Sequence, residues 1–297
     1  MSDWLAVGDE TGNWDELHNP GAFLGVALVM GRIEDWQTAL EERLDDQRIQ
    51  DRLQAAPRHL PPAHLPPDYC KTPNHHLMDV FNYWQSQKLA GDWFLAAPGD
   101  DPLRQEVFAT LRWLAEHPRL ITWGLWFKGA ALQRELFRSG DQAVALGRAY
   151  GLLAALALPF LNPADRLLVQ PGLRSERPNT LASTRGTLTK DQNNGVARVH
   201  GDTHSTISVL EDETQRHRDA WRGDGIARME AGTLDHLRKR SKTLKNTFLP
   251  NKALNAAADL GAGLLRLTCQ AGTRGIALRR DETWRNVVFH TLPEVTA

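Results

Sequence analysis

The chain has 297 residues, of which 41% are hydrophobic and 24% charged, which is enough apolar material for a well-buried core. Its formal net charge of −1 creates no global attraction for nucleic acid, so such a partner must be bound by a local basic patch. Cys70 and Cys269 are the only two cysteines, which argues against a disulfide framework or a cysteine-based zinc site and favours a reducing cytoplasm.

No membrane association is predicted from the sequence. The N-terminus lacks the basic-then-apolar pattern of a signal peptide. The longest apolar run, Leu152–Leu161, is too short to span a bilayer and contains Pro159.

The first element in chain order is a short apolar run, Trp4–Val7, which is followed by Asp9, Glu10 and a Thr-Gly pair. The run has the length and β-propensity of a buried strand, so Asp9 is expected where this strand leaves the sheet, at an edge that ligands use. Successive strand residues point to opposite faces, so Asp9 and Glu10 can face one ion only if the strand bends between them. The alternative is that residues 9–12 form an ordinary polar turn.

Hydrophobic patterning predicts alternating strands and helices along the rest of the chain. The predicted elements are a strand at Gly21–Gly31 paired with the first, a surface helix at Glu34–Asp51, a helix at Pro102–Glu116, a strand at Leu120–Phe127, a buried helix at Ala143–Leu158, a short strand at Arg166–Gln170, an amphipathic helix at Ala253–Leu267 and an edge strand at Val287–His290. Strands separated by helices after an initial hairpin predict an α/β fold with a mixed sheet.

We expect a single domain over residues 1–297 with two interruptions. The segment 57–73 holds six prolines and cannot be a helix interior or a central strand, so it is predicted to be an extended surface arm. The segment 171–252 begins with a long polar stretch and ends with a basic one, so it is predicted to be a polar and basic insertion. Long loops of this kind in compact domains are often functional or disordered.

Two further groups of residues are candidates for function. His75 and His76 follow Asn74, a plausible helix N-cap; they point about 100° apart on a helix, so they are poor joint ligands of one metal, and either an acid–base or a packing role fits them. A basic cluster within His236–Lys252 could bind phosphates, although a solvated helix face fits it equally. The basic cluster comprises Arg238, Lys239, Arg240, Lys242, Lys245 and Lys252.

Asp259 lies in the middle of the amphipathic helix Ala253–Leu267. Charged residues are rarely buried unless they are paired or bound to a metal. The small Ala and Gly neighbours allow this helix to pack closely against a sheet, and an acid that faces strand ends from such a helix is what a metal site needs. The alternative is that Asp259 simply faces water.

The residues Asp9-Glu10-Thr11-Gly12 and Ala258-Asp259-Leu260-Gly261-Ala262-Gly263 together resemble the motifs of a bacterial family of predicted ribonuclease-H-like proteins of uncharacterised function. In that family the first strand ends in Asp-Glu-Ser-Gly, and a late helix carries a signature close to Gln-x-Ala-Asp-Leu/Val-x-x-Gly. The order of elements between the two motifs is also similar, so the resemblance spans most of the chain although only its ends carry motifs.

The chain departs from the family pattern at three positions. Thr11 replaces Ser but keeps the hydroxyl group, and Ala256 or Ala257 stands where Gln is expected. Gln170 ends the short strand at which such folds have an acidic residue. Glu176 or Asp202 in the adjoining loop could substitute for that acid, or the site is incomplete.

The resemblance implies a ribonuclease-H-like mixed sheet, flanked by helices and carrying helical and loop insertions. It also implies a Mg²⁺- or Mn²⁺-dependent nuclease or phosphodiesterase that acts on RNA or DNA. Asp9 would bridge two ions about 3.5–4 Å apart. Asp259 would hold one ion, Glu10 would be a ligand or a brace, His75 or His76 would assist proton transfer, and the basic cluster would bind the nucleic-acid backbone.

Two other functions fit the same residues. A catalytically inactive subunit could act as a binding or assembly module with protein partners in a nucleoprotein or defence complex, which Gln170 favours. A phosphohydrolase could instead act on a small nucleotide-type substrate.

Overall fold

The computed structural model describes residues 1–12, 14, 19–44, 102–128, 142–172, 228–269 and 284–291. The strands are β1 (Asp3–Thr11), β2 (Phe23–Arg32), β3 (Ile121–Lys128), β4 (Arg166–Gln170), β5 (Arg228–Ala231) and β6 (Val287–Thr291). The helices are α1 (Ile33–Ala39), which continues into a π-helical turn at Leu40–Leu44, α2 (Pro102–Glu116), α3 (Gln142–Ala157), which continues into a 3₁₀ turn at Leu158–Phe160, α4 (Leu234–Arg240), α5 (Lys242–Asn246) and α6 (Asn251–Cys269).

These strands form one six-stranded sheet in the order β5-β4-β1-β2-β3-β6. Strands β1, β2 and β3 are antiparallel neighbours. Strands β4 and β5 add in parallel beside β1, and β6 adds in parallel beside β3. The predicted mixed α/β sheet, the β1–β2 pairing and the edge position of the last strand are therefore confirmed.

Helices cover both faces of the sheet, which explains why β2 is apolar along almost its whole length. On the face that we call the α6 face, Leu5, Val7 and Leu168 pack with α6 and with residues of α1, α2, α4 and α5. On the opposite face, the α3 face, Ala6 and Leu28 pack with α3. The strand alternation seen in β1 thus continues to the polar end of the strand and assigns each residue there to one face.

Strand β1 is longer than the sequence predicts. It continues through Asp9 and Glu10 to Thr11, which pairs with Gly25 of β2, and Gly12 follows with a φ of 91°. The predicted end of the strand at Val7 is wrong, as is the alternative of a polar turn, although Asp9 does lie beyond the end of the ladder between β1 and β4. The reason is that β2 supplies backbone hydrogen-bond partners for these residues, which an isolated reading of their polarity does not anticipate.

Strand β5 was not predicted at all. Its sequence, Arg-Met-Glu-Ala, is four residues long and lies inside the segment that we expected to be an insertion. Such a short run shows no clear alternation, and its strand conformation depends on pairing with β4.

Several sequence predictions lie outside the described residues and stay predictions. They are the proline-rich arm at 57–73, His75 and His76, and residues 173–227 of the predicted insertion. Across the residues that the structure does describe, every helix is too short or too polar to cross a membrane.

Candidate metal centre

Asp9 lies on the α6 face of β1, two residues after Val7. On one side it pairs with Ala27 of β2. On the other side the ladder with β4 ends at Val7 and Gln170, so Asp9 lies beyond the last paired residue of that neighbour. This position is at the carboxyl ends of two parallel strands, β1 and β4, where α/β sheets commonly bind ligands.

Close packing of α6 on the sheet brings Asp259 towards Asp9. A Cβ atom added to Gly261 would lie 2.6 Å from Cγ2 of Val29 and 3.8 Å from Cβ of Ala27. The missing side chain at Gly261 therefore lets the helix approach β2 beside the residue that pairs with Asp9. The small residues of the sequence motif thus set the distance between the helix and the sheet.

The carboxyl groups of Asp9 and Asp259 are in side-chain hydrogen-bond contact, and both residues are partly exposed. The local loss of solvent around its carboxyl group raises the pKa of Asp9 well above its ordinary value, and the negative charges of Glu10 and Asp259 raise it further. The backbone N–H of Glu10 donates to the Asp9 carboxylate and opposes this shift. Two acids from opposite ends of the chain therefore meet at one site that solvent can reach.

Glu10 does not share the Asp9 side of the sheet. It alternates with Asp9 and falls on the α3 face together with Gly8, whose added Cβ atom would meet Tyr150 of α3 at 2.7 Å. Its charge still acts on Asp9, because it is the second-largest cause of the raised pKa of that group. The structure thus brings Asp9 and Asp259 together, and it makes Glu10 an electrostatic neighbour on the other face.

Gln170 and Gly172, at and just past the end of β4, complete the surroundings of Asp9. Gln170 is 6% exposed, and its Oε1 has no hydrogen-bond partner among the described residues. A Cβ atom at Gly172 would lie 2.8 Å from Oδ1 of Asp9. The contact with Gly172 was not predicted, because the sequence gives no register for the segment that follows β4.

Arg266 is a second residue that the sequence analysis did not single out. It follows Asp259 by seven residues in α6, which is close to two helical turns, so the two side chains leave the same side of the helix. Burial lowers the pKa of Arg266 from its ordinary value. In the sequence, only the seven-residue spacing between Asp259 and Arg266 indicates that Arg266 could belong to the site. That spacing is informative only once Asp259 is known to be part of a site.

The donor atoms at this site suit a hard divalent cation. Carboxylate and amide oxygens are the ligands of Mg²⁺, Mn²⁺ and Ca²⁺, and Mg²⁺ needs few protein ligands because it keeps several waters. Within the described part of the chain, no group of three or more His, Cys, Asp or Glu side chains could hold a metal ion. Among the described residues, the ligands open to a cation here are therefore the Asp9–Asp259 pair and amide or backbone oxygens, with water completing the coordination.

The basic cluster lies at the other end of the sheet. Ser241, between α4 and α5, accepts a hydrogen bond of 2.8 Å from Arg166, and Arg166 binds Asp3 at the start of β1. Asp9 follows Asp3 by six positions along β1, which corresponds to about 20 Å. The structure therefore does not bring this cluster next to the two carboxylates.

Members of the basic cluster differ in their surroundings. Arg238 donates to the carbonyl of Leu249, and Arg240 lies 3.8 Å from a carboxylate oxygen of Glu230. Both arginines thus help to hold α4 in the fold. Three lysines of the cluster are exposed, namely Lys239, Lys242 and Lys245.

Comparisons of the chain with protein-family models, with curated proteins and with solved structures gave no match.

Proposed function

We propose that this protein is a divalent-metal-dependent phosphodiesterase of ribonuclease-H-like architecture, which hydrolyses nucleic-acid phosphodiesters and holds Mg²⁺ or Mn²⁺ between Asp9 and Asp259. The contact between these two carboxyl groups is the observation that supports the proposal most directly. The antiparallel arrangement of β1, β2 and β3, with β4 and β5 parallel to β1, is compatible with a ribonuclease-H-like sheet.

Two neighbouring carboxylates repel each other, and their electrostatic cost is relieved by a shared proton or by a cation. A divalent cation bound there would activate a water molecule and stabilise negative charge on a phosphodiester. Asp9 and Asp259 would orient that cation from two rigid elements, β1 and α6. Arg266, on the same side of α6 as Asp259, is suited to contact a substrate phosphate.

The proposal is tested with the full-length protein and three variants: Asp9→Asn, Asp259→Asn and the control Asp235→Asn, whose side chain is 75% exposed on α4. We expect Mn²⁺ to raise the melting temperature of the wild type and of the control but not of the other two. Cleavage of RNA, DNA or an RNA–DNA hybrid should fall by about 100-fold or more in Asp9→Asn and Asp259→Asn.

Two outcomes would redirect the proposal. No Mn²⁺ effect on the wild type, or an equal effect on Asp9→Asn, rejects the metal site. Cleavage of a small nucleotide but of no polymer assigns the same chemistry to a small-molecule phosphohydrolase.

A second candidate function is a catalytically inactive binding or assembly subunit. Gln170 favours it, because this residue places an uncharged amide where such folds have a carboxylate. Mn²⁺-dependent stabilisation without cleavage of any phosphodiester, including a bis-nitrophenyl phosphate, would support this candidate.

A further inference from the structure

Gln170 lies on the same face of the sheet as Asp9. Leu168 faces α6 together with its register partner Leu5, so Gln170, two residues later, faces the same way as its own partner Val7. Asp9 is two residues beyond Val7. That advance is about 7 Å along the strand, so Gln170 and Asp9 leave the same face from neighbouring strands at the end of the β1–β4 ladder.

The oxygen of Gln170 is buried without a hydrogen-bond partner. The residue is 6% exposed, and no described donor reaches its Oε1 atom. An unsatisfied buried acceptor costs about 1–3 kcal/mol, so native proteins seldom keep one without a reason. A bound cation is one partner that satisfies such an oxygen.

The backbone just past the end of β4 approaches Asp9 closely. Gly172 has no side chain, and a Cβ atom there would lie 2.8 Å from Oδ1 of Asp9 and 2.8 Å from the carbonyl oxygen of Gly8. Any larger residue at this position would crowd the carboxylate. The chain that follows β4 therefore passes close to the Asp9 carboxylate, which places the end of β4 beside this site.

We infer that Oε1 of Gln170 is a third protein oxygen ligand, and that with Asp9 and Asp259 it forms a site for one divalent cation of the Mg²⁺ class. This inference rests on the proposed function for the identity of the other two ligands. Two ionised carboxylates and one neutral amide carry a charge of about −2 on this face, which one divalent cation balances. Among the described residues, no third carboxylate joins Asp9 and Asp259 in a group that could hold a metal ion, so a second cation in the same place would lack a carboxylate to neutralise it.

The test measures Mn²⁺ binding by calorimetry and by electron paramagnetic resonance, so it does not depend on catalytic activity. Gln170→Met keeps the approximate shape of the side chain but removes the hard oxygen, and Gln37→Met is the matched control on the exposed side of α1. We expect one Asp9-dependent Mn²⁺ ion per wild-type chain. We expect Gln170→Met to bind it about 10-fold or more weakly, and Gln37→Met to bind it as the wild type does.

Gln170→Glu provides a second arm that adds charge without changing shape. We expect it to bind Mn²⁺ more tightly than the wild type and to melt at a lower temperature in the absence of metal, because a third carboxylate increases the repulsion. Thermal unfolding without metal reports whether each variant folds, and Gln170→Met should be at least as stable as the wild type because it removes the unsatisfied oxygen.

The outcomes separate this inference from the proposed function. If Mn²⁺ binds the wild type and is lost in Asp9→Asn but is unchanged in Gln170→Met, the role of Gln170 is rejected and the metal site stands. Two Asp9-dependent ions per chain would reject the single-cation site alone. If the wild type binds no Mn²⁺, both proposals fail.

Discussion

The carboxyl groups of Asp9 and Asp259 share a hydrogen bond, although one lies on the first strand of the sheet and the other on the long helix near the end of the chain. Two carboxyl groups can share such a bond only if one of them carries a proton. The pair therefore binds a proton more tightly than an isolated aspartate does, and a cation that binds here competes with that proton.

Asp9→Asn is expected to stabilise the metal-free protein. The substitution removes a carboxyl group whose ionised form is disfavoured by burial and by the neighbouring negative charges, and it keeps a group that can donate to Asp259, so the free energy of unfolding should rise by about 1–3 kcal/mol. Urea unfolding in the presence of a chelator measures the change. Asp235→Asn should change stability by less than about 0.5 kcal/mol, and a loss of stability in Asp9→Asn would contradict the raised pKa of Asp9.

The pH dependence of stability should carry the signature of Asp9. Its pKa is raised on folding, so the folded state binds this proton more tightly than the unfolded state. The contribution of Asp9 to stability is therefore greatest below the unfolded pKa of 3.8 and is lost as the pH rises through the folded pKa. Because other groups titrate too, the measurement is the difference in melting temperature between the wild type and Asp9→Asn from pH 4 to pH 8. The melting temperature of the wild type should rise relative to that of Asp9→Asn as the pH falls.

His117 should make the protein sensitive to mild acid. Its Nδ1 accepts hydrogen bonds from the backbone N–H groups of Arg119 and Leu120, at 3.2 and 3.0 Å, and protonation of that atom would break both. Burial lowers the pKa of His117, although the charge of Glu42 opposes the shift. The stability that neutral His117 contributes is therefore fully present above its unfolded pKa of 6.5 and is lost as the pH falls through its lower folded pKa.

The corresponding variant is His117→Ala, which we expect to cost about 1–3 kcal/mol at pH 7.5 because it leaves two backbone donors without their acceptor. The cost measured by urea unfolding should shrink at acid pH, where the wild type loses the same bonds. A cost that is independent of pH would indicate that only packing against Trp113 is lost.

Arg166 should be important for stability at the end of the sheet away from Asp9. It donates to both carboxylate oxygens of Asp3, at 3.0 and 2.7 Å, and lies 3.7 Å from Glu230. Burial disfavours the charge of Asp3, but hydrogen bonds from Arg166 and Thr243 outweigh it and lower its pKa. Arg166→Met should therefore cost about 3–5 kcal/mol, because it leaves a largely buried carboxylate without its cation.

The control for Arg166 is Glu34→Gln, which removes an exposed ion pair with Arg32 and should cost less than about 1 kcal/mol. Mn²⁺ affinity should be the same in both variants as in the wild type, because neither residue lies near Asp9. A large loss of Mn²⁺ affinity in a folded Arg166→Met protein would mean that the two ends of the sheet are coupled.

Charge reversal of the three exposed lysines Lys239, Lys242 and Lys245 tests whether this surface binds nucleic acid. If each lysine contacts a phosphate, the slope of the logarithm of the duplex binding constant against the logarithm of the salt concentration should become less negative by about 0.9 per lost contact. Sequence preference should not change. Binding isotherms at several salt concentrations give this slope. An unchanged slope would leave the lysines as a solvated surface of α4 and α5.

The sequence by itself determined the type of most elements. The apolar run of β2, the small-residue helix α6 and the Ala/Leu-rich helix α3 each have a local period that depends on neighbouring residues alone, and the structure has them within a few residues of their predicted bounds. Alternation along β1 also separated Asp9 from Glu10 before any partner strand was known.

Only the tertiary structure decided where these elements meet. The length of β1 and the existence of β5 depend on partner strands that are distant in sequence. The contact of Asp9 with Asp259 depends on how closely α6 approaches the sheet at Gly261. Local patterns set the face on which a side chain lies, but register and packing distance are properties of pairs of elements, and no single segment of sequence encodes them.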